Sequence, residues 1–181
     1  MRALAKEGVV AVDTYRALTA ARCLEQGAKL VNDVSALRAD PDLAAVVAEH
    51  DAVLVMMYAK DAPLPHATDS PVRYRDTVAE IADFLAERVD AAGRAGIPPE
   101  RVAVDPGMGR FISLEPADSW RLLEGFAHLV LRLAPVPVMV ASRPSPSCAN
   151  VTWMVSAGSS SPARSGHSIS AAPASSASSR P

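Results

Sequence analysis

Three polar side chains stand at the ends of short apolar runs: Asp13 after Val9-Val-Ala-Val, Asn32 after Leu30-Val, and Asp105 after Val102-Ala-Val. Asp33 follows Asn32 directly, and Met57 lies near the end of a fourth run, Ala52-Val-Leu-Val-Met-Met-Tyr58. Carboxylates accept hydrogen bonds from ring N–H and amino groups, an amide both donates and accepts, and a thioether packs on a ring face. Together these groups suit a flat, nitrogen-rich heterocycle. In Val102-Ala-Val-Asp-Pro-Gly-Met-Gly-Arg-Phe111, Asp105 is followed at once by Pro106, Gly107 and Gly109, which end a strand and open a loop. Asp before Pro-Gly is also ordinary turn chemistry, so Asp105 gains its meaning from the same construction upstream. Gly107-Met-Gly109 is too short to be a phosphate-cradling loop.

The segments that carry these residues read as alternating strands and helices. Residues 9–14 are β-branched without alternation, the pattern of a strand buried on both faces. A helix is expected over 15–26, with Leu18, Ala21 and Leu24 at helical spacing and Gly27 as its stop. After a second strand at 30–34, a helix runs from about Pro41 to His50, with Asp40 as N-cap and Leu43, Val46 and Val47 as its apolar stripe. A third strand at 52–58 leads through a loop reaching to about Arg73 into a long helix marked by Val78, Ile81, Leu85 and Val89. The fourth strand ends at Asp105, a helix follows around 116–131, and 136–140 forms a fifth strand despite Pro137. Residues 2–7 favour helix.

Such alternation predicts α/β architecture with a parallel sheet. Polar residues at successive strand ends favour a TIM (β/α)8 barrel over a doubly wound sheet, but a full barrel takes about 250 residues. The expectation is therefore a partial TIM barrel over 1–143, followed by a tail.

Composition bounds the function. The chain has 181 residues, 49% of them hydrophobic, enough to bury a core. With 18 basic and 20 acidic residues, nothing in its charge steers it to nucleic acid or an anionic membrane. Cys23 and Cys148 match no metal spacing and no disulfide framework. No run approaches the ~18 apolar residues of a membrane span, which points to a cytoplasmic protein. Every Asp and Glu lies at or before Glu124, and residues 144–181 are mostly Ser, Ala, Pro and Gly, with Arg164 and Arg180 their only charges. A disordered Ser/Ala/Pro-rich tail is expected there.

At its polar strand ends the chain resembles the dihydropteroate synthase family. The resemblance rests on Val12-Asp-Thr-Tyr-Arg16, Val31-Asn-Asp-Val34, Met57-Tyr-Ala-Lys-Asp61 and Val104-Asp-Pro-Gly-Met-Gly109, in family order, and covers about residues 1–143. It implies a (β/α)8 barrel that joins 6-hydroxymethyl-7,8-dihydropterin diphosphate to 4-aminobenzoate, releasing diphosphate with Mg2+ assistance. Asp13 and Asp105 would be catalytic. Asp13, Asn32 and Asp105 would hydrogen-bond the pterin, and Val34, Met57 and Phe111 would pack against it. The implied partners are small molecules, with no nucleic acid and no membrane, and a homodimer is left open.

Departures from the family pattern carry expectations of their own. The family's first two strands, with the Asn-containing loop that meets metal and diphosphate, have no counterpart here, so no metal ligand is assigned. Ser142-Arg143 is followed by Pro144 in place of the family's Lys, and no later Arg-x-His appears. A reading-frame change near Pro144 would account for both, and the isolated chain is expected to be inactive. Two other readings compete with the synthase: a pterin-binding module like those of corrinoid-dependent methyltransferases, and a non-functional remnant.

Overall fold

The computed structural model describes residues 8–61, 71–142 and 151–155. The expected helix over 2–7 lies outside them, as do most of the loop after the third strand and all of the tail except 151–155.

The β-branched runs form β1 (Ala11–Asp13), β2 (Leu30–Asp33), β3 (Val53–Met57), β4 (Val102–Asp105) and β5 (Val138–Ser142). They lie in chain order in one sheet, each parallel to the next. Helices α1 (Ala17–Glu25), α2 (Leu43–Glu49), α3 (Thr77–Arg94), α4 (Pro116–Glu124) and α5 (Phe126–Leu133) occupy the connections. This is the parallel α/β sheet that the alternation predicts. Strand β6 (Val151–Val155) then pairs antiparallel with β5. Disorder was expected there, but Val151-Thr-Trp-Met-Val155 is an island of β-branched and aromatic residues inside the Ser/Ala-rich stretch, and such residues favour strand.

Register divides the sheet into two faces. Val12, Val31, Leu54 and Val102 align across β1–β4, and Asp33, Met56, Val104 and Val138 align across β2–β5. Side chains alternate along a strand, so these two rows share a face. It is the face the helices cover: Val31, Leu54, Met56, Val102, Val104 and Val138 pack in one core with Leu43, Ile81, Leu85 and Leu129. Each fully buried Leu or Ile contributes roughly 1.5–3 kcal/mol.

Three local details differ from the periodicity reading. The buried stripe of α1 is Ala17, Ala20 and Leu24, while Leu18 is 65% exposed, so the helix is rotated from the expected face. Asp40 does not cap α2, which starts at Leu43 after Asp42. Its Oδ2 accepts from the Ala17 N–H of α1 at 2.8 Å. Its Oδ1 accepts from the Asp42 N–H at 3.1 Å, so one carboxylate serves both the turn before α2 and the first turn of α1, whose N-cap Arg16 makes no side-chain cap bond. The single helix expected around 116–131 is broken at Gly125, where a Cβ would sit 2.5 Å from Val78 Cγ2 of α3. Close approach to α3 fixes glycine at that break. Pro137, which cannot donate, lies just before β5, and its C=O accepts from Val104 N–H at 3.0 Å.

Candidate functional site

The other face of the sheet carries the polar side chains. Asp13, Asn32, Val55 and Ala103 form one register row, and Met57 and Asp105 form the next row toward the C-terminal strand ends. The four strand-borne candidates therefore lie on one face and at one end of four adjacent parallel strands. Asp13 and Asp105 are three strand spacings apart, roughly 14 Å along the sheet, too far to touch. Val34 follows β2 directly and is half-buried, and half-buried Phe111 ends a short turn, Gly109–Phe111, after β4. Both belong to loops at the same end. The structure thus brings the six residues to one end of the sheet.

Alternation separates Asn32 from its neighbour. Asp33 points to the helix side, is fully buried, and has both carboxylate oxygens occupied. Oδ1 accepts from the Ser35 N–H at 2.8 Å and the Ser35 hydroxyl at 2.7 Å, and Oδ2 accepts from the Leu37 N–H at 2.6 Å. These bonds hold a turn in which Ala36 and Leu37 take positive φ of 51° and 61°. Asp33 is a scaffold residue, although composition alone could not distinguish it from Asn32.

Asp105 is built differently. It is 5% exposed, and the hydrogen bond to its carboxylate comes from the Gly107 N–H to Oδ1 at 2.8 Å. Burial pushes the carboxyl up from 3.8 to about 6, against the Gly107 N–H, which favours the ionised form. The loop is locked to β3: Tyr58 N–H donates to the Asp105 C=O and Lys60 N–H to the Phe111 C=O, both at 2.8 Å. Gly107 has φ +71°, and a Cβ there would lie 2.6 Å from the Tyr58 carbonyl oxygen. Only glycine satisfies both conditions.

Cations near this end are held by protein groups. Arg38 donates from Nε to Ser35 C=O and from Nη2 to Ala59 C=O, both at 2.8 Å, and lies 4.7 Å from the Phe84 ring centre. It clips the loop after β2 to the end of β3. Lys60 pairs with Asp61 at 2.7 Å. Magnesium, expected from the resemblance, finds no ready ligand set: among the described residues no three His, Cys, Asp or Glu come together to hold a metal. No helix among the described residues is long and apolar enough to cross a membrane.

Enclosed volume does not mark this site. Clefts of about 540 and 480 Å³ share Tyr74 and Arg121 between α3 and α4, and one of about 610 Å³ lies near Gly93 and Pro135. Convergent polar groups decide in favour of the strand ends, where Asp105 and Met57 are buried beside Val55 and Ala103 of the row below.

Sequence reasoning missed Tyr74. Its hydroxyl lies 2.8 Å from the Tyr58 hydroxyl and donates to Ile112 C=O at 2.7 Å. Nothing in the local pattern signals a contact that spans 38 residues.

Comparison with known proteins identifies the family. The family model "Pterin binding enzyme" matches residues 1–174, so the match runs on past Arg143, and the composition change at Pro144 is not its boundary. The dihydropteroate synthase of Mycobacterium leprae is 38% identical over 144 residues, covering 79% of this chain and 49% of that protein. The Thermus thermophilus dihydropteroate synthase in complex with 4-aminobenzoate superimposes with a TM-score of 0.66 at 35% identity, over 76% of this chain and 50% of that one. The Xanthomonas albilineans enzyme in complex with 7,8-dihydropteroate gives 0.63 at 34% identity, over 76% and 49%. The chain spans about half the length of these relatives. With a family model matched along most of its length and synthases superimposing on its sheet, the chain belongs to the pterin-binding enzyme family.

Proposed function

We infer that the C-terminal ends of β1–β4 bind a reduced pterin and serve the condensation of 6-hydroxymethyl-7,8-dihydropterin diphosphate with 4-aminobenzoate. The observation that carries this reading is the shared face of Asp13, Asn32, Met57 and Asp105. In it, Asp105 Oδ2 and the Asp13 carboxylate accept from ring N–H and amino groups, and the Asn32 amide donates and accepts. Met57, Val34 and Phe111 pack on the ring. When diphosphate leaves, the pterin methylene becomes cationic; the buried, fixed Asp105 carboxylate stabilises that charge without reorganising, and the exposed Asp13 carboxylate adds a solvent-screened attraction. The arylamine then attacks the methylene carbon. The described residues offer magnesium no set of three His, Cys, Asp or Glu ligands. The proposed compartment is the cytoplasm, with a homodimer as the assembly to test by sedimentation.

Titration of the full chain with 7,8-dihydropterin, with and without 4-aminobenzoate, tests the proposal. Saturable binding lost at least about tenfold in Asn32→Ala and Asp105→Asn is expected, as for charge-assisted hydrogen bonds. Affinity that rises with 4-aminobenzoate marks a synthase site, and affinity indifferent to it marks a pterin module of the methyltransferase type. Absence of saturable binding would sink both.

A further inference from the structure

We propose that Tyr74 is a positioning residue of the pterin site, holding the loop 106–112 against the end of β3 so that Phe111 stands at a fixed distance from Asp105. The proposal rests on the pterin reading above. Tyr74 has one hydroxyl hydrogen, and it goes to the Ile112 carbonyl at 2.7 Å. The 2.8 Å contact between the two tyrosines must then be donated by Tyr58, which sets the order Tyr58 O–H to Tyr74 O–H to Ile112 C=O. Tyr58 is 9% exposed and lies edge-on to Phe84 of α3, ring centres 5.0 Å apart at 88°, so the donor end of this chain is anchored in the core. Ile112, at the acceptor end, is fully buried. Phe111 sits between Ile112 and the turn, and its own C=O is taken by the Lys60 N–H at 2.8 Å.

Tyr58 therefore meets the loop at three places. Its N–H bonds the Asp105 carbonyl, its C=O is the surface against which Gly107 lies, and its hydroxyl reaches Ile112 through Tyr74. The first two set the Asp105 end of the loop. The tyrosine pair and the Lys60 amide tie the Phe111 end to the end of β3, beside the turn's own bonds and the Gly109 N–H to Ser119 hydroxyl bond at 3.0 Å. Burial pushes both phenols up, so the pair stays protonated and its polarity does not change over the working range of an enzyme.

Tyr74→Phe removes both hydroxyl bonds with little change of shape, and Tyr58→Phe removes the donor but leaves the Tyr74–Ile112 bond. In the ligand-free full chain, Tyr74→Phe should raise hydrogen exchange at the Lys60 amide about fivefold, the effect of one lost hydrogen bond, and Tyr58→Phe should raise it less. The same Tyr74→Phe change should weaken 7,8-dihydropterin binding about fivefold in the wild-type background and by less than about twofold in Phe111→Ala, because the two residues act through one contact. A merely structural tyrosine would lower affinity equally in both backgrounds, and that result overturns the role. Unchanged exchange at Lys60 overturns it as well. A wild-type chain that binds no 7,8-dihydropterin overturns the pterin reading and this role with it, whereas the exchange result alone leaves the pterin reading standing.

Discussion

Met57 and Asp105 are register partners across β3 and β4, so a thioether and a buried carboxylate leave the sheet side by side on the same face. The pairing places an acceptor for ring N–H groups next to a surface that packs on a ring, and it makes the state of Asp105 the first quantity to measure.

The Asp105 carboxyl titrates near 6 in the folded chain, above its ordinary 3.8. A carboxyl with a raised folded pKa gives stability that is present below about pH 4 and lost as pH rises through about 6, by at most about 3 kcal/mol. Asp105→Asn should therefore be more stable than wild type at pH 7.5, by about 2 kcal/mol, and equal to it near pH 3.5. Urea melts at the two pH values check this. A variant no more stable at pH 7.5 than at pH 3.5, relative to wild type, contradicts the burial argument.

Ligand binding should run in the opposite sense. If pterin N–H groups donate to Asp105 Oδ2, the ionised form binds, and affinity falls as pH drops through about 6. The wild-type titration should show that midpoint and Asp105→Asn should lack it. Calorimetry in buffers of different ionisation heat would also register a proton released on binding near pH 6.

Asn32 and Asp33, adjacent in sequence, should respond oppositely to truncation. Asn32→Ala removes a partly exposed amide from the ligand face, and it should cost pterin affinity with stability changed by less than about 0.5 kcal/mol. Asp33→Ala strips the acceptor from three hydrogen bonds in a fully buried turn and should cost about 3 kcal/mol. Thermal melts of the pair, with pterin titration of Asn32→Ala, separate the roles.

Gly107→Ala should be severe for one methyl group. Positive φ costs an L-residue about 1–2 kcal/mol, and the added carbon meets backbone, which cannot swing aside. Loss of more than about 2 kcal/mol together with loss of pterin binding is expected, while Gly109→Ala, with open space around its Cβ, should lose less than half as much.

Purified alone, the 181-residue polypeptide should bind pterin without forming dihydropteroate. Its described sheet is an arc whose β1 edge is unpaired, and it spans about half the length of synthases that it resembles. Product formation abolished by Asp105→Asn would show that the arc suffices.

The strands were legible because a buried parallel strand is a short β-branched run, and each ends within two residues of its expected end, with a polar side chain at Asp13, Asn32 and Asp105. Helix faces were less so. Alanine is as good at lining a helix interface as leucine is when the partner is close, so Ala17 and Ala20 took the place expected for Leu18. Asp40 bonding Ala17 and Tyr74 bonding Ile112 were invisible for a different reason: both join residues far apart in the chain, and no local preference encodes them. The site residues were recognised by type, but assigning Asn32 to the ligand face and Asp33 to the core needed the register.

Because the division of labour between those two neighbours is kept only by alternation, insertions and deletions threaten this protein more than substitutions do. One residue added to β2 between Lys29 and Asn32 would turn Asn32 into the helix layer and expose the Asp33 position on the ligand face, cancelling a contact and a turn at one stroke. Length polymorphism among relatives should consequently collect in the loops between elements and spare the four or five residues that precede each strand end.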